Sequence, residues 1–243
     1  MSSIPVEFIY HTGLAEVPFD NASLVGTWDE QGRYSALRTE IPLSKGVGED
    51  GCPVFRGTVR FDSGEIGKKF RWKVLLDAPG GPNSHGMTTE IQDPGSSERY
   101  REFALCTSTP VQEYYLTLCR RQGANKFFPA GAKEPGIRFS VWAPNARKVE
   151  LVLVDEKTGY ITDDGIGIKA TFPMACNEEG IWDTDVSVSP ALKHYADFVG
   201  KFYNFQITKD NGNIAYRSDL YSRLQIGCGH ADPRGKSFSG PPE

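Results

Sequence analysis

The 243-residue chain has almost no helical periodicity, no apolar run approaching the roughly 20 residues of a membrane helix, and no excess of positive charge. Lys and Arg number 27 against 31 Asp and Glu, a net charge of −4. No basic field therefore exists to condense onto a phosphate backbone or an anionic lipid surface. Neither nucleic acid nor a membrane is an expected partner. The five cysteines (Cys52, Cys106, Cys119, Cys176, Cys228) are scattered, odd in number and free of any CxxC pair, which indicates neither a disulfide framework nor a zinc cage. The opening MSSIPVEFIYHTG lacks the positive n-region and apolar stretch of a secretory signal. These absences together predict a reduced, cytoplasmic protein.

What is present points to β-structure. Hydrophobic residues make up 39% and aromatics 12% against 24% charged, a balance that lets a chain bury apolar surface and fold. Short β-rich runs punctuated by Gly, Pro, Asn and Asp recur along the sequence. A first group lies at 5–10, 22–27, 39–43, 54–61, 69–76, 87–91 and 100–105, and a second at 137–143, 148–154, 166–172, 180–188, 202–208 and 213–218. The fold class expected is all-β, two tandem immunoglobulin-like β-sandwiches. They are assigned to 1–108 and 135–226, joined by a linker at 109–134, with 227–243 a Gly, Pro and Ser-rich linker toward a missing C-terminal domain. Between FYNFQI and IAYRS, Lys209 to Asn213 carries an Asn-Gly step that predicts a hairpin with a type I′ turn.

The residues GIRFSVWAPNARKVELVLVD, GIWDTDVSV and GKFYNFQITKDNGNIAYRSDLYS, all within 136–222, resemble the family 48 carbohydrate-binding module. The resemblance rests on the F-x-VWAPNA run, the G-x-W pair and the D-x-YS ending. It implies an early-set immunoglobulin-like sandwich of the kind found before the catalytic barrel of branching enzymes, isoamylases and related glycoside hydrolase family 13 enzymes. The first unit is more loosely similar to the family 20 starch-binding module. VEFIYHTG, LVGTWDEQGRYSALRTEIPL, FRGTVRF and KKFRWKVLL follow that family's order of elements. Tyr34 falls where that family's first sugar-stacking Trp would stand, and the later loop DAPGGPNSHGMTTE offers no second Trp.

A sugar-binding surface needs exposed rings for the apolar face of a pyranose, with amides and charged groups for its hydroxyls. Trp28 and Tyr34, with Asp29, Gln31 and Arg33 around them, combine these in one loop and are the candidate carbohydrate-binding residues. Trp72 shares a face with Phe70 and Val74 under period two and is expected in the core. Trp142 and Trp182, with apolar alternation partners, are expected to be structural as well. Gly165-x-Gly167-x-x-Ala170 matches a dinucleotide fingerprint in form, but Thr171 and Pro173 follow where a helix would have to begin. The pairs Asp163, Asp164 and Asp183, Asp185 fit turns better than a cation site. No metal and no cofactor are expected.

Glycoside hydrolysis requires two carboxylates flanking the scissile bond, in family 13 at the strand ends of a barrel that itself needs about 250 residues. The chain carries no such barrel. What the resemblances imply is therefore a non-catalytic N-terminal region, binding starch, glycogen or maltooligosaccharide, in an enzyme of 1,4-α-glucan branching or α-amylase type. Its intramolecular partner would be a catalytic domain C-terminal to Glu243. The alternative is a glycogen-sensing regulatory module with no catalytic barrel attached. An extracellular adhesion module would call for an inter-sheet disulfide and a signal, and neither is indicated.

Overall fold

Alternation of period two decides which side chains leave water. In β1 (Ser3–His11), Val6, Phe8 and Tyr10 are buried in an aromatic core. The computed structural model describes residues 3–17, 19–77, 100–108, 111–129, 132–155 and 161–222, and the backbone alone of 224–227 and 237–240. It comprises two units, Met1–Gly48 with Cys52–Thr117 and Glu49–Gly51 with Leu118–Glu243.

In the first unit β1 is followed by β2 (Ala22–Trp28), β3 (Tyr34–Pro42), β4 (Ser44–Val47), β5 (Pro53–Asp62), β6 (Lys69–Leu76), β7 (Arg101–Ala104) and β8 (Val111–Tyr115). They form two four-stranded sheets, ordered β4-β5-β1-β8 and β3-β2-β6-β7. Phe8 from one sheet meets Trp28 and Trp72 from the other at ring-centroid distances of 5.5 and 5.2 Å. Tilted and edge-on pairs of this kind add roughly 0.5–1.5 kcal/mol each beyond the area they bury. Gly26, in the Val25-Gly26 step, leaves room for the Trp28 ring: a Cβ at Gly26 would lie 1.8 Å from a ring carbon.

The second unit adds β9 (Gly123–Phe127), β10 (Gly136–Trp142), β11 (Ala146–Val154), β12 (Ile168–Cys176), β13 (Ile181–Thr184), β14 (Phe202–Lys209), β15 (Ile214–Arg217), β16 (Leu224–Gly227) and β17 (Ser237–Gly240). Hydrogen bonding runs β16-β17-β14-β11-β12-β13-β10-β9, with β15 also on β14. β12 changes sheets along its length. Up to Pro173 it pairs with β11, and from Met174 to Cys176 with β13. Ile137, Phe139, Val149, Leu151, Tyr203 and Phe205 fill the core. The all-β class and the sandwich architecture are as the sequence predicts.

Several elements differ from expectation for reasons of packing. β3 begins at Tyr34 rather than near 39, because as an edge strand it buries no complete row; Leu37 is 84% exposed. β4 is exposed at every residue and has no apolar pattern to read. The stretch 109–134, expected as a linker, contributes β8, which pairs in parallel with β1, and β9, which pairs with β10. Both lie at a sheet edge and are only half-regular in polarity. Within 227–243, Ser237–Gly240 pairs with Leu224–Gly227. The run expected at 180–188 stops at Thr184, where Asp185 accepts the Ser187 N–H at 2.7 Å and turns the chain. The strand expected at 87–91 lies outside the described residues.

The hairpin at 209–213 forms, but its turn is not type I′, which needs two residues at positive φ. Only Gly212 is left-handed (φ 80°). Lys209 accepts the Gly212 N–H at 2.9 Å and donates to the Asn213 carbonyl at 2.9 Å. This is a type I turn closed by a glycine bulge, which lets Asn211 keep a negative φ.

Adding a methyl at Gly26 should overpack the Trp28 site and lower stability by about 1–3 kcal/mol. At Gly46 the nearest neighbour of an added Cβ is a Val54 methyl at 3.9 Å, so Gly46→Ala should fall within about 0.5 kcal/mol of wild type. Urea unfolding of the two variants is the measurement. Equal midpoints would show that Trp28 does not depend on Gly26.

Candidate functional site

The loop that carries the candidate sugar-binding residues is first of all a turn. Asp29 Oδ1 accepts the N–H groups of Gln31 and Arg33 at 3.0 and 2.9 Å, and Gly32 at φ 73° closes the bulge. A Cβ at Gly32 would lie 2.0 Å from the Arg60 carbonyl oxygen, so only glycine fits there. Asp29 thus has a local structural task. Arg33 Nε donates to Asp62 Oδ2 at 3.2 Å, and the Tyr34 N–H donates to Glu65 Oε2 at 3.0 Å. These bonds tie the start of β3 to the 3₁₀ turn Ser63–Glu65.

Tyr34 remains 52% exposed, its ring tilted against Phe70 at 6.1 Å. Gln31 is exposed at the tip of the turn, and Arg33 beside it is exposed as well. Trp28, expected beside Tyr34 on the same surface, must be corrected. It is 1% exposed, with Phe8 and Phe61 against its ring, and offers no face to a pyranose. Its Nε1–H has no hydrogen-bond partner among the described residues, so packing holds it there, at a cost of about 1–3 kcal/mol for the unmet donor. The loop is a one-ring surface, Tyr34, with Gln31 and Arg33 able to meet hydroxyls.

Trp72 is buried, as the period-two reading predicts, and Trp182 is buried with its Nε1–H on the Ala143 carbonyl at 3.0 Å. Trp142 departs from its structural assignment, being 60% exposed. Counting by two from Phe139 finds it. Ile137 and Phe139 face the core, while Arg138, Ser140 and Trp142 fall on the opposite face. The Trp142 Nε1–H donates to the Glu179 carbonyl at 3.1 Å, which fixes the ring against the 177–181 turn.

The ring borders a pocket of about 720 Å³ whose far wall is the segment 217–221. Asp219 positions that wall. It is 2% exposed, accepts the Tyr203 hydroxyl at 2.5 Å and accepts the Tyr221 N–H at 2.8 Å. Burial first, and the neighbouring Asp219 charge second, push the Tyr203 phenol well above its ordinary range, so it stays a neutral donor. Asp219 and Tyr221 are the D and Y of the D-x-YS ending. Of the other acidic pairs, Asp164 accepts the Thr162 hydroxyl, and Asp183 forms a two-pronged ion pair with Arg121 at 2.8 and 3.0 Å. The GxGxxA stretch opens into β12, a strand, so no helix N-terminus is present to cradle a phosphate.

Residues 127–222 match the family model of carbohydrate-binding module 48, the isoamylase N-terminal domain. The match runs from the last residue of β9 to the D-x-YS ending and is confined to the second unit. Among solved structures, the chain is similar to the catalytic module of the multi-modular glycogen-degrading pneumococcal virulence factor SpuA in complex with an inhibitor. The identity there is 19%, the TM-score 0.35, and the coverage 50% of this chain and 16% of that one. It is also similar to the Group B Streptococcus pullulanase SAP, at 13% identity and TM-score 0.35, covering 100% of this chain and 27% of that one. The same pullulanase in complex with maltotetraose gives 11%, 0.35, 100% and 27%. The chain thus spans between 16% and 27% of the length of these structures.

The Tyr34 loop has a pH signature. Glu65 is held below the usual carboxylate range by the Tyr34 N–H and then Lys68, and Asp62 by the Gly64 N–H and then Arg33. Both folded-state values are lowered, so the stabilisation is complete above the unfolded carboxylate pKa and is lost as pH falls through the folded one. The Tyr34 amide resonance should stay constant from about pH 7 to 5 and move only below the ordinary glutamate value of about 4.3. Glu65→Gln should remove the titration. A midpoint above that value in wild type would show that the bond is not made.

Proposed function

We propose that this chain is the non-catalytic, α-glucan-binding N-terminal region of a cytoplasmic glycoside hydrolase family 13 enzyme of branching-enzyme or α-amylase type. The observation that carries the reading is the family match over 127–222, on strands where the F-x-VWAPNA, G-x-W and D-x-YS residues each have a physical task. Trp182 fastens the turn after β10 through the Ala143 carbonyl. Asp219 joins Tyr203 to the backbone of Tyr221. The partner is starch, glycogen or maltooligosaccharide. A catalytic domain C-terminal to Glu243 would perform the chemistry, and the modules would raise the local concentration of linear glucan beside it. The first unit contributes weakly, through Tyr34.

The 243-residue chain should be retarded by glycogen in affinity electrophoresis and should release no reducing sugar from amylose. No retardation would refute the glucan-binding reading. Reducing-sugar release by contaminant-free protein would refute the non-catalytic one.

At the first unit, a single exposed ring forfeits roughly 1 kcal/mol or more of aromatic contact relative to two, so maltoheptaose should bind there with a millimolar Kd. Chemical-shift changes at Gln31 and Arg33 on titration should vanish in Tyr34→Ala. Their persistence would make Tyr34 a structural residue only.

A further inference from the structure

The second unit carries a trough that neither resemblance nor family match assigns to any task. We infer that this trough, bordered by Trp142, is a binding site for a linear α-glucan chain, an inference that rests on the glucan-binding reading above. The exposed ring is held by its bond to the Glu179 carbonyl, so its orientation is set before a ligand arrives and little side-chain freedom is lost on stacking. Tyr221, 41% exposed, stands on the segment that forms the other wall. The volume of about 720 Å³ lies within the range of roughly 300–1,000 Å³ found for small-molecule sites.

Unmet polar groups favour a sugar over an apolar occupant. Gln122 lines the pocket at 7% exposure, and its side-chain amide makes no hydrogen bond among the described residues. An amide that reaches the pocket surface with donor and acceptor both available suits a hydroxyl, which both gives and accepts. At the rim stand Glu179 and Arg217, the latter with one N–H on the Tyr216 carbonyl. Neither side chain has an ion-pair partner among the described residues. Rings for the sugar faces and amide, carboxylate and guanidinium for the hydroxyls are thus in one place.

The shape favours a chain over a single ring. Ile207 lines this pocket and also a second one of about 480 Å³, where Asn145, Lys209 and Asn211 supply further hydrogen-bonding side chains. Trp142 and Ala143, consecutive residues, line one pocket each. The two pockets therefore adjoin along the VWAPNA segment, and an oligosaccharide of several units can lie through both.

The test uses the whole 243-residue chain with maltoheptaose as probe. Because Trp28, Trp72 and Trp182 are buried, acrylamide quenching of tryptophan fluorescence reports mainly on Trp142. Maltoheptaose should protect that signal and Arg217→Ala should weaken the protection about threefold or more, while Trp142→Ala, which removes the reporter, should lower the affinity read from glycogen retardation at least tenfold. Leu37→Ala, at an exposed position of the first unit, should leave the protection within twofold of wild type. Arg217 is exposed, so its variant gives the answer if Trp142→Ala proves unstable to heat. Unchanged affinity in both variants, with wild type still retarded by glycogen, would overturn this site and leave the glucan-binding reading intact. Loss of retardation and protection together in wild type would overturn both. Protection that grows with protein concentration and not with sugar would show that a protein surface occupies the trough, and would overturn the site as well.

Discussion

A strand with one dry face has to be reversed without leaving backbone polar groups unmet, and this chain meets that constraint repeatedly with one device. At 29–33, 162–166, 177–181 and 209–213 the first residue donates its N–H to the fifth residue's carbonyl and accepts the fourth residue's N–H. The fourth is always a glycine in the left-handed region: Gly32, Gly165, Gly180 and Gly212, at φ 73°, 85°, 78° and 80°. The side chain of the first residue often closes the loop further, as Asp29, Thr162 and Asn177 do by accepting N–H groups two or four residues on. Register in the flanking strands follows from these connections, because a two-residue error would cost the glycine its place.

The same device places the candidate chemistry. Asp29 sits in its loop to make the turn, and what it leaves for a ligand is the ring that follows, Tyr34, lifted to the end of the core and held by Glu65. In the second unit the 177–181 turn presents the Glu179 carbonyl to Trp142. At Trp142 the bond holds the ring itself, and at Tyr34 it holds the backbone from which the ring projects.

The two cores solve aromatic crowding differently. In the first, Gly26 makes space for Trp28, Phe8 and Phe61 close around it, and Phe61 in turn stands edge-on to Phe70 at 4.7 Å. In the second, Phe139 meets Tyr203 edge-on at 4.9 Å, and the Tyr203 hydroxyl leads out of the core to Asp219. A buried carboxylate is tolerable only when its oxygens are hydrogen-bonded, and satisfying Asp219 draws the D-x-YS segment against the core. The wall of the trough is a consequence of that requirement.

Local pattern was enough to determine the all-β class, most strands of both sandwiches, the place of the hairpin at 209–213 though not its turn type, and the motifs that the family match later covered. Alternation also held the position of Trp142, since Phe139 and Trp142 cannot share a face in a regular strand. What local pattern could not determine was which face the opposing sheet covers. Trp28 and Tyr34 are register partners across one turn, yet one is sealed and the other open because Phe8 and Phe61 arrive from the other sheet. Edge strands were equally hidden. β4 and β8 bury too little for a pattern to form, β9 buries Gly123, Ala124 and Asn125 in a row without alternation, and β8 joins β1 in parallel across a long stretch of chain, a pairing decided by long-range closure of the sheet and not by the residues of β8 themselves.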